Sequence, residues 1–442
     1  MIASWTEIGL TVRTPMFIGA AGPTKTEPRI TFPVPSVRGA LRYWLRALVG
    51  ATIPTDDDRG LVRLAAVERA VFGAASRDDR HGPDDPPRWQ SAVALRSRGQ
   101  VPFVVAGPRA PWMTGDGTVA YLLGQGLWSR DPVTRDWNLA GHVEPGSAIR
   151  LAIRIDPRAP KTASVADLFC AALWALATFG GLGSRARRGF GTIEVTRPPR
   201  GLPTSEFTES WFAASTSVSS CASIADTLQH VLRCVASAVS ALGIAEDPAE
   251  QAPPGPPGPP DAGTTPRYPC FRPGAYELGD RTVAGARPSD FGRALAQTGR
   301  TLREFRTEGD DRTRAYKDLI RPWLNNNRPD PAKPFAIGAL GLPVVFTRKS
   351  DGASGTVAPR VGDAASEELR RASPLWLRLY PDSTGRWHLR SLALLAEWLP
   401  ETAQLWVRGK DGTPPPAPLG KPTADAVNDL IRRWFQLRPT GL

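Results

Sequence analysis

Apolar residues in the first two hundred positions recur at two different periods, and the order of those periods constrains the fold more than any other feature of the chain. Residues 4–13 alternate, with Trp5, Ile8, Leu10 and Val12 apolar among polar neighbours, the mark of a strand with one buried face. Ser36 then offers a helix N-cap. Val37, Ala40, Leu41, Trp44, Leu45, Leu48 and Val49 repeat at helical spacing, and Gly50 closes the segment. A second helix is predicted over roughly 61–72, ending at Gly73, with short strands at 91–96, 101–105 and 118–123. Residues 147–155 alternate again, with Ile149, Leu151, Ile153 and Ile155 on one face and Arg150 and Arg154 on the other. Ser164 can cap a helix over 165–179, and a glycine-rich loop, 180–191, leads into a strand at 190–195. Strand, helix, strands, helix, strand is the split βαβ order of the ferredoxin-like (RRM-like, βαββαβ) α+β fold.

The second half is less regular. A helix is predicted at about 222–243. The stretch 248–266, with Pro253-Pro254-Gly255-Pro256-Pro257-Gly258-Pro259-Pro260, reads as an exposed linker. After it come an Arg-rich helical stretch at 289–324, strands near 341–347 and 374–380, apolar segments at 387–399 and 404–408, and a last helix at about 424–437. The expected organisation is a first domain over 1–200, a helical insertion and linker over 201–275, and a second α+β domain over 276–442.

The chain has 442 residues, 41% of them hydrophobic and 22% charged, enough to bury a sizeable core. Its formal net charge is +12, and 48 of its 55 basic residues are arginine. Arginine suits planar, bidentate recognition of phosphate and stacking on bases. A GC-rich coding sequence would produce the same bias, so charge favours a nucleic-acid partner without fixing it. The longest apolar run, Leu168 to Phe179, has the length of a core helix, so no membrane span is expected. Met1 to Trp5 lacks the pattern of a signal peptide. Cys170, Cys221, Cys234 and Cys270 form no C-x-x-C, and His81, His142, His230 and His388 stand apart. No zinc site, disulfide framework or cofactor is expected, and the expected compartment is the cytoplasm.

The strongest chemical signal is Gly180-Gly181-Leu182-Gly183-Ser184-Arg185-Ala186-Arg187-Arg188-Gly189-Phe190-Gly191, five glycines and three arginines in twelve residues. Free N–H groups in such a turn can form an anion nest, and arginine adds donors for phosphate. It follows a helix and lacks a Gly-Lys-Ser/Thr ending, so it is neither a P-loop nor a dinucleotide fingerprint. A helix C-cap followed by a tight turn with surface arginines is the alternative; the density of glycine with arginine favours phosphate. Next is the helix opening Pro35-Ser36-Val37-Arg38-Gly39, where a helix N-terminus meets a stripe of Arg38, Arg42 and Arg46 at i, i+4, i+8. Gly39 costs about 1 kcal/mol there, a cost that close approach of another backbone would explain. A solvated arginine edge is the alternative.

Met16, Phe17 and Ile18 read either as a wedge against bases or as a plug into the core. Arg303, Arg306, Arg312, Arg314, Tyr316 and Lys317, and separately Arg370-Arg371, read as solvated charge or as the lining of a groove. Asp56-Asp57-Asp58, Asp78-Asp79 and Asp84-Asp85 read as solvated loop acids, and no catalytic or metal-binding motif is present.

The run Pro35 to Arg46 together with the 180–191 loop resembles the RAMP superfamily of CRISPR proteins. The chain is more closely similar to the two-domain RAMP subunit at the head of the type III-B (Cmr) effector complex. Thr14 to Gly19, Arg29, Glu68 to Gly73, Gly341 to Phe346 and Arg371-Ala372-Ser373-Pro374-Leu375 support the likeness. The resemblance implies two ferredoxin-like RAMP domains, the second more divergent. It implies a non-catalytic subunit that holds the 3′ part of the CRISPR RNA and helps engage complementary target RNA in antiviral defence. Its partners would be other Cmr RAMP subunits and a large polymerase-like subunit. Carried onto this chain, the RNA-contact candidates are Ser36, Arg38, Arg42, Arg46, Gly180, Gly181, Gly183, Ser184, Arg185, Arg187, Arg188 and Arg371. The competing reading is a metal-independent endoribonuclease of the same superfamily that processes CRISPR repeats.

Overall fold

The computed structural model describes residues 4–19, 28–74, 90–114, 117–124, 126–130, 134–207, 209–212, 221–244, 265–283, 286, 290–307, 334–347, 354–362, 366–409 and 418–437. Asp78-Asp79, Asp84-Asp85, the proline-rich stretch 253–260, and Arg312, Arg314, Tyr316 and Lys317 lie outside them. The first half runs β1 (Thr6–Val12), β2 (Arg29–Thr31), α1 (Val34–Val49), α2 (Asp58–Phe72), β3 (Val93–Ser97), β4 (Gln100–Pro102), α3 (Thr118–Leu123), β5 (Trp128–Arg130), β6 (Trp137–Leu139), β7 (Ala148–Ile155), α4 (Thr162–Phe179) and β8 (Ile193–Arg197).

Its main sheet has the order β3-β7-β1-β8 with every neighbour antiparallel. That is the ferredoxin-like layout, with α1 and α4 as the two helices. Ile8, Leu10, Val12, Ile149, Leu151 and Ile153 point to the helical side and are buried, as the period-two pattern requires. Ser164 to Phe179 of α4 are all buried. By length and composition α4 could cross a membrane, but 89% of its apolar window lies inside the protein, so it is a core helix.

The second half runs α5 (Cys221–Leu242), β9 (Tyr276–Thr282), α6 (Phe291–Thr307), a short 3-10 turn (Ala336–Leu340), β10 (Val344–Thr347), β11 (Ser354–Val361), β12 (Leu375–Pro381), β13 (Trp387–Leu394), β14 (Ala403–Gly409) and α7 (Ala424–Gln436). α5 adds Ile224, Leu228, Val231 and Val235 to the first core. The antiparallel sheet β12-β13-β9 has the 2-3-1 strand order of a ferredoxin-like domain. Among the described residues no fourth strand flanks β9. A separate sheet, β10-β11-β14, departs further from the pattern.

Strand alternation docks the two halves. Leu377, Leu379 and Leu389 face a core shared with α6 and α7, whereas Trp376, Leu392 and Leu394 join the core of the first half. Arg378 and Arg390 lie on that docking face and donate to the carbonyls of Ile193 (3.0 Å) and Thr178 (3.2 Å). Burial, with Arg390 nearby, pushes the Arg378 pKa down to about 9. Asp280 holds Arg390 at 3.0 Å and accepts from Tyr380 at 2.6 Å, and His388 sits between Asp280 (3.4 Å) and Asp382 (3.1 Å).

Several local expectations change. Ser36 and Ser164 are not caps: α1 begins at Val34 after Pro33, and α4 at Thr162 after Lys161. Residues 118–123 form α3, not a strand. They find no strand partner and pack on α6, where the Thr118 carbonyl lies so close that a Cβ on Gly299 would come within 2.3 Å. The Asp56–Asp58 run is ordered. Asp57 caps α2 through the Gly60 N–H (2.8 Å), Asp56 pairs with Arg272, and Asp58 pairs with Arg267 (2.6 Å).

Candidate nucleic-acid interface

The glycine-rich loop links α4 to β8 and folds against the segment after β1. Leu182 N–H donates to the Gly191 carbonyl (2.9 Å), Ser184 N–H to that of Phe17 (2.7 Å), and Gly191 N–H to that of Pro15 (2.9 Å). These approaches are why glycine is needed. Gly183 (φ +87°) and Gly191 (φ +65°) adopt left-handed conformations, and a Cβ would fall 2.4 Å from the Phe17 carbonyl oxygen and 1.8 Å from that of Leu182. The N–H groups of Gly180, Leu182, Ser184, Arg188 and Gly191 all donate to protein carbonyls. Five of the twelve N–H groups from which an anion nest could be built are therefore engaged by the fold. Met16 and Phe17 are 0% and 2% exposed, which makes that segment a core plug.

The loop forms one wall of a groove of about 1050 Å³ between the two halves. Ser36 and Ala40 of α1 line it, as do Gly341 to Val345 and Arg370 to Ser373 from the second half. Two sequence motifs from the far half of the chain thus meet the loop across one cleft. Among the described residues Arg185, Arg187, Arg188, Arg306, Arg370 and Arg371 line the groove, and no described aspartate or glutamate does. The potential in such a cleft is focused and positive.

The loop arginines are also bound to the protein. Arg185 and Arg188 donate to the carbonyls of Leu123 (2.7 Å) and Leu122 (3.3 Å), at the C-terminal end of α3, where cations are favoured. Burial together with Arg306 and Arg185 pushes the Arg188 pKa down to about 10. Arg187 lies over Trp376 (4.4 Å) and Tyr43 (5.2 Å) and donates to the Ser373 carbonyl. Arg371 is lowered by burial, and its Nε has no hydrogen-bond partner among the described residues.

Of the sequence candidates, the structure brings Ser36, Gly181, Gly183, Ser184, Arg185, Arg187, Arg188 and Arg371 to one groove. Gly180 is buried against Trp44, whose Nε1 would lie 2.5 Å from an added Cβ. Arg42 and Arg46 turn to Glu68 (3.4 and 3.3 Å), and Arg42 also donates to the carbonyls of Phe72 and Gly73 (2.9 and 2.6 Å). The arginine stripe of α1 is therefore split between the α2 contact and Arg38, which forms no ion pair with a described residue. Arg306, Arg370, Tyr121 and Trp376 complete the lining. Arg306 and Arg370 sat in arginine-rich stretches of the sequence; nothing there marked Tyr121 or Trp376. Among the described residues no group of three or more His, Cys, Asp or Glu could hold a metal ion.

Residues 9–194 match the sequence profile of the RAMP superfamily. The CRISPR system Cmr subunit Cmr1-1 of Pyrococcus furiosus is 25% identical over 168 residues, which cover 37% of this chain and 40% of that protein. The match thus spans well under half of the curated relative's length. A crystal structure of Cmr1 from Pyrococcus furiosus in its apo form is 17% identical, with a TM-score of 0.49 over 90% of each chain. A chain in a cryo-EM structure of the type III-B Cmr-beta complex, bound to cognate target RNA and AMPPnP in the presence of ssDNA, is 11% identical. Its TM-score is 0.49 over 98% of this chain and 99% of that one.

Proposed function

We propose that the chain, whose residues 9–194 match the RAMP-superfamily profile, is a non-catalytic, RNA-binding subunit of a type III-B CRISPR ribonucleoprotein. In this reading it sits at the head of the complex, holds the 3′ part of the CRISPR RNA and helps engage complementary target RNA. The observation that carries it is the groove between the two halves, whose described lining holds six arginines and no carboxylate. Guanidinium groups on rigid elements hold phosphates in register, while base pairing supplies sequence choice. Arg306 and Arg370 carry most of this role, because Arg185, Arg187 and Arg188 are already tied to protein carbonyls.

The test is affinity purification of the tagged protein from its host, followed by sequencing of bound RNA and identification of co-purifying proteins. Guide RNAs with a common 5′ repeat tag, together with other RAMP subunits and a large polymerase-like subunit, are expected. Their absence at low salt would refute the reading. Cleavage of repeat RNA by the purified chain in EDTA, lost in a site variant, would favour the ribonuclease instead.

A further inference from the structure

The solvent face of the first sheet carries a second basic surface, away from the groove. β7 carries Arg150 and Arg154 on the face opposite its buried isoleucines, and Arg96 of β3 lies opposite Ala152, which is buried between them. Arg98 follows β3, and its N–H donates to the Arg150 carbonyl at 2.8 Å. Arg96 lies 3.8 Å and Arg154 5.1 Å from the centre of the Trp5 ring. Stacking occupies a flat side of each guanidinium and leaves terminal N–H groups for an oxyanion, although Arg96 Nε itself is buried. Arg98 and Arg150 are exposed.

Charge is divided unevenly over this face. On its β1–β8 half, Arg13 pairs with Glu194 and Arg197 with Glu7. On its β3–β7 half, Arg96, Arg98, Arg150 and Arg154 form no ion pair with any described carboxylate. Asp156, beyond the end of β7, is held by Arg158 at 3.3 Å. The strand order puts β3 and β8 at opposite edges, roughly 14 Å apart at the usual strand spacing. β8 leads out of the groove loop, so the two basic surfaces are separate.

We propose that the β3–β7 half of this face, through Arg96, Arg98, Arg150 and Arg154, is a second nucleic-acid surface that binds the phosphodiester backbone without reading sequence. An acidic protein partner fits less well. Protein interfaces are built around an apolar, aromatic centre, and none of the large exposed apolar residues (Val62, Val104, Trp137, Val345 and Val361) lies on these strands. Surfaces for phosphate are polar and strongly positive. Four guanidiniums and a single tryptophan already stacked by two of them favour contact to the backbone over base stacking.

The experiment uses the full chain and fluorescein-labelled single-stranded RNA of mixed sequence, titrated by anisotropy over a series of KCl concentrations. Arg98→Gln with Arg150→Gln changes two exposed side chains. It is expected to reduce the slope of log K against log salt by about 1.4, at about 0.7 per phosphate contact. Affinity near about 0.1 M salt should fall by on the order of tenfold. Arg306→Gln reports on the groove in parallel. If the double variant binds as the parent does while Arg306→Gln is weakened, the second surface is refuted and the groove stands. If the double variant alone is weakened, the second surface stands and the groove reading fails. Phenylglyoxal modification of the unaltered protein, read by mass spectrometry, supplies a readout independent of folding. Protection of Arg98 and Arg150 by bound RNA supports the proposal, and unchanged modification at both overturns it. Binding of a polyglutamate probe that is lost in the double variant, with RNA binding unchanged, would replace nucleic acid by an acidic protein.

Discussion

Replacing Arg187 with alanine separates the two roles a groove arginine can have. Its guanidinium stacks 4.4 Å from the centre of Trp376 and 5.2 Å from that of Tyr43, and it donates to the Ser373 carbonyl. A partly desolvated cation–π contact contributes roughly 1–2 kcal/mol. A hydrogen bond from a charged donor contributes roughly 1.5–3 kcal/mol. One group makes both, so they do not simply add, and the expected loss is about 3 kcal/mol. Arg187 and Tyr43 belong to the first half, and Trp376 and Ser373 to the second, so the loss falls on the docking of the two. At roughly 2–4 °C per kcal/mol the melting transition should drop by about 6–12 °C. Scanning calorimetry measures this, and it will show whether one transition splits into two as docking weakens. Arg187→Lys keeps the charge but not the planar stack and should recover only part of the loss. A melting temperature within about 1 °C of the parent, with weakened RNA binding, would refute the structural assignment and make Arg187 a ligand contact.

Gly191→Ala places a Cβ 1.8 Å from the Leu182 carbonyl at φ +65°, so the loop must rearrange; loss of soluble folded protein or a large fall in melting temperature is expected. Gly39→Ala meets nothing within 4 Å and should stabilise α1 by up to about 1 kcal/mol in a denaturant titration. His388 has its pKa raised, chiefly by its hydrogen bond to Asp280 and further by Asp382. Its contribution to stability is full below the ordinary histidine value of about 6.5 and is lost as pH rises through the raised one. Denaturation midpoints should therefore fall over the neutral to mildly alkaline range, and His388→Gln should flatten that dependence.

Local periodicity placed most of the first half. The alternation at 147–155 and the helical repeat at 37–49 became β7 and α1, because a strand or helix that buries one face must write that face into its own sequence; α4, buried all round, was legible from the length of its apolar run instead. The glycine loop was legible for the same reason, since positive φ and close backbone contact leave glycine little alternative. Short segments were less legible. Residues 118–123 carry an apolar run too brief to declare its period, and contact with α6 decided that they are helical. β9 and β11 carry no clean alternation and exist because neighbouring strands pair with them.

The candidate interface divides along the same line. The sequence by itself determined that a glycine- and arginine-rich turn follows a buried helix, and that arginine dominates the charge. Only the tertiary structure decided which arginines share a surface. Arg38, Arg42 and Arg46 lie on one helical stripe, yet two of them turn to Glu68, while Arg306 and Arg371 reach the loop from the far half of the chain. The physical reason is range. Backbone conformation is set by neighbours a few residues away, whereas a charged side chain takes its partner from whatever packing brings within a few ångströms.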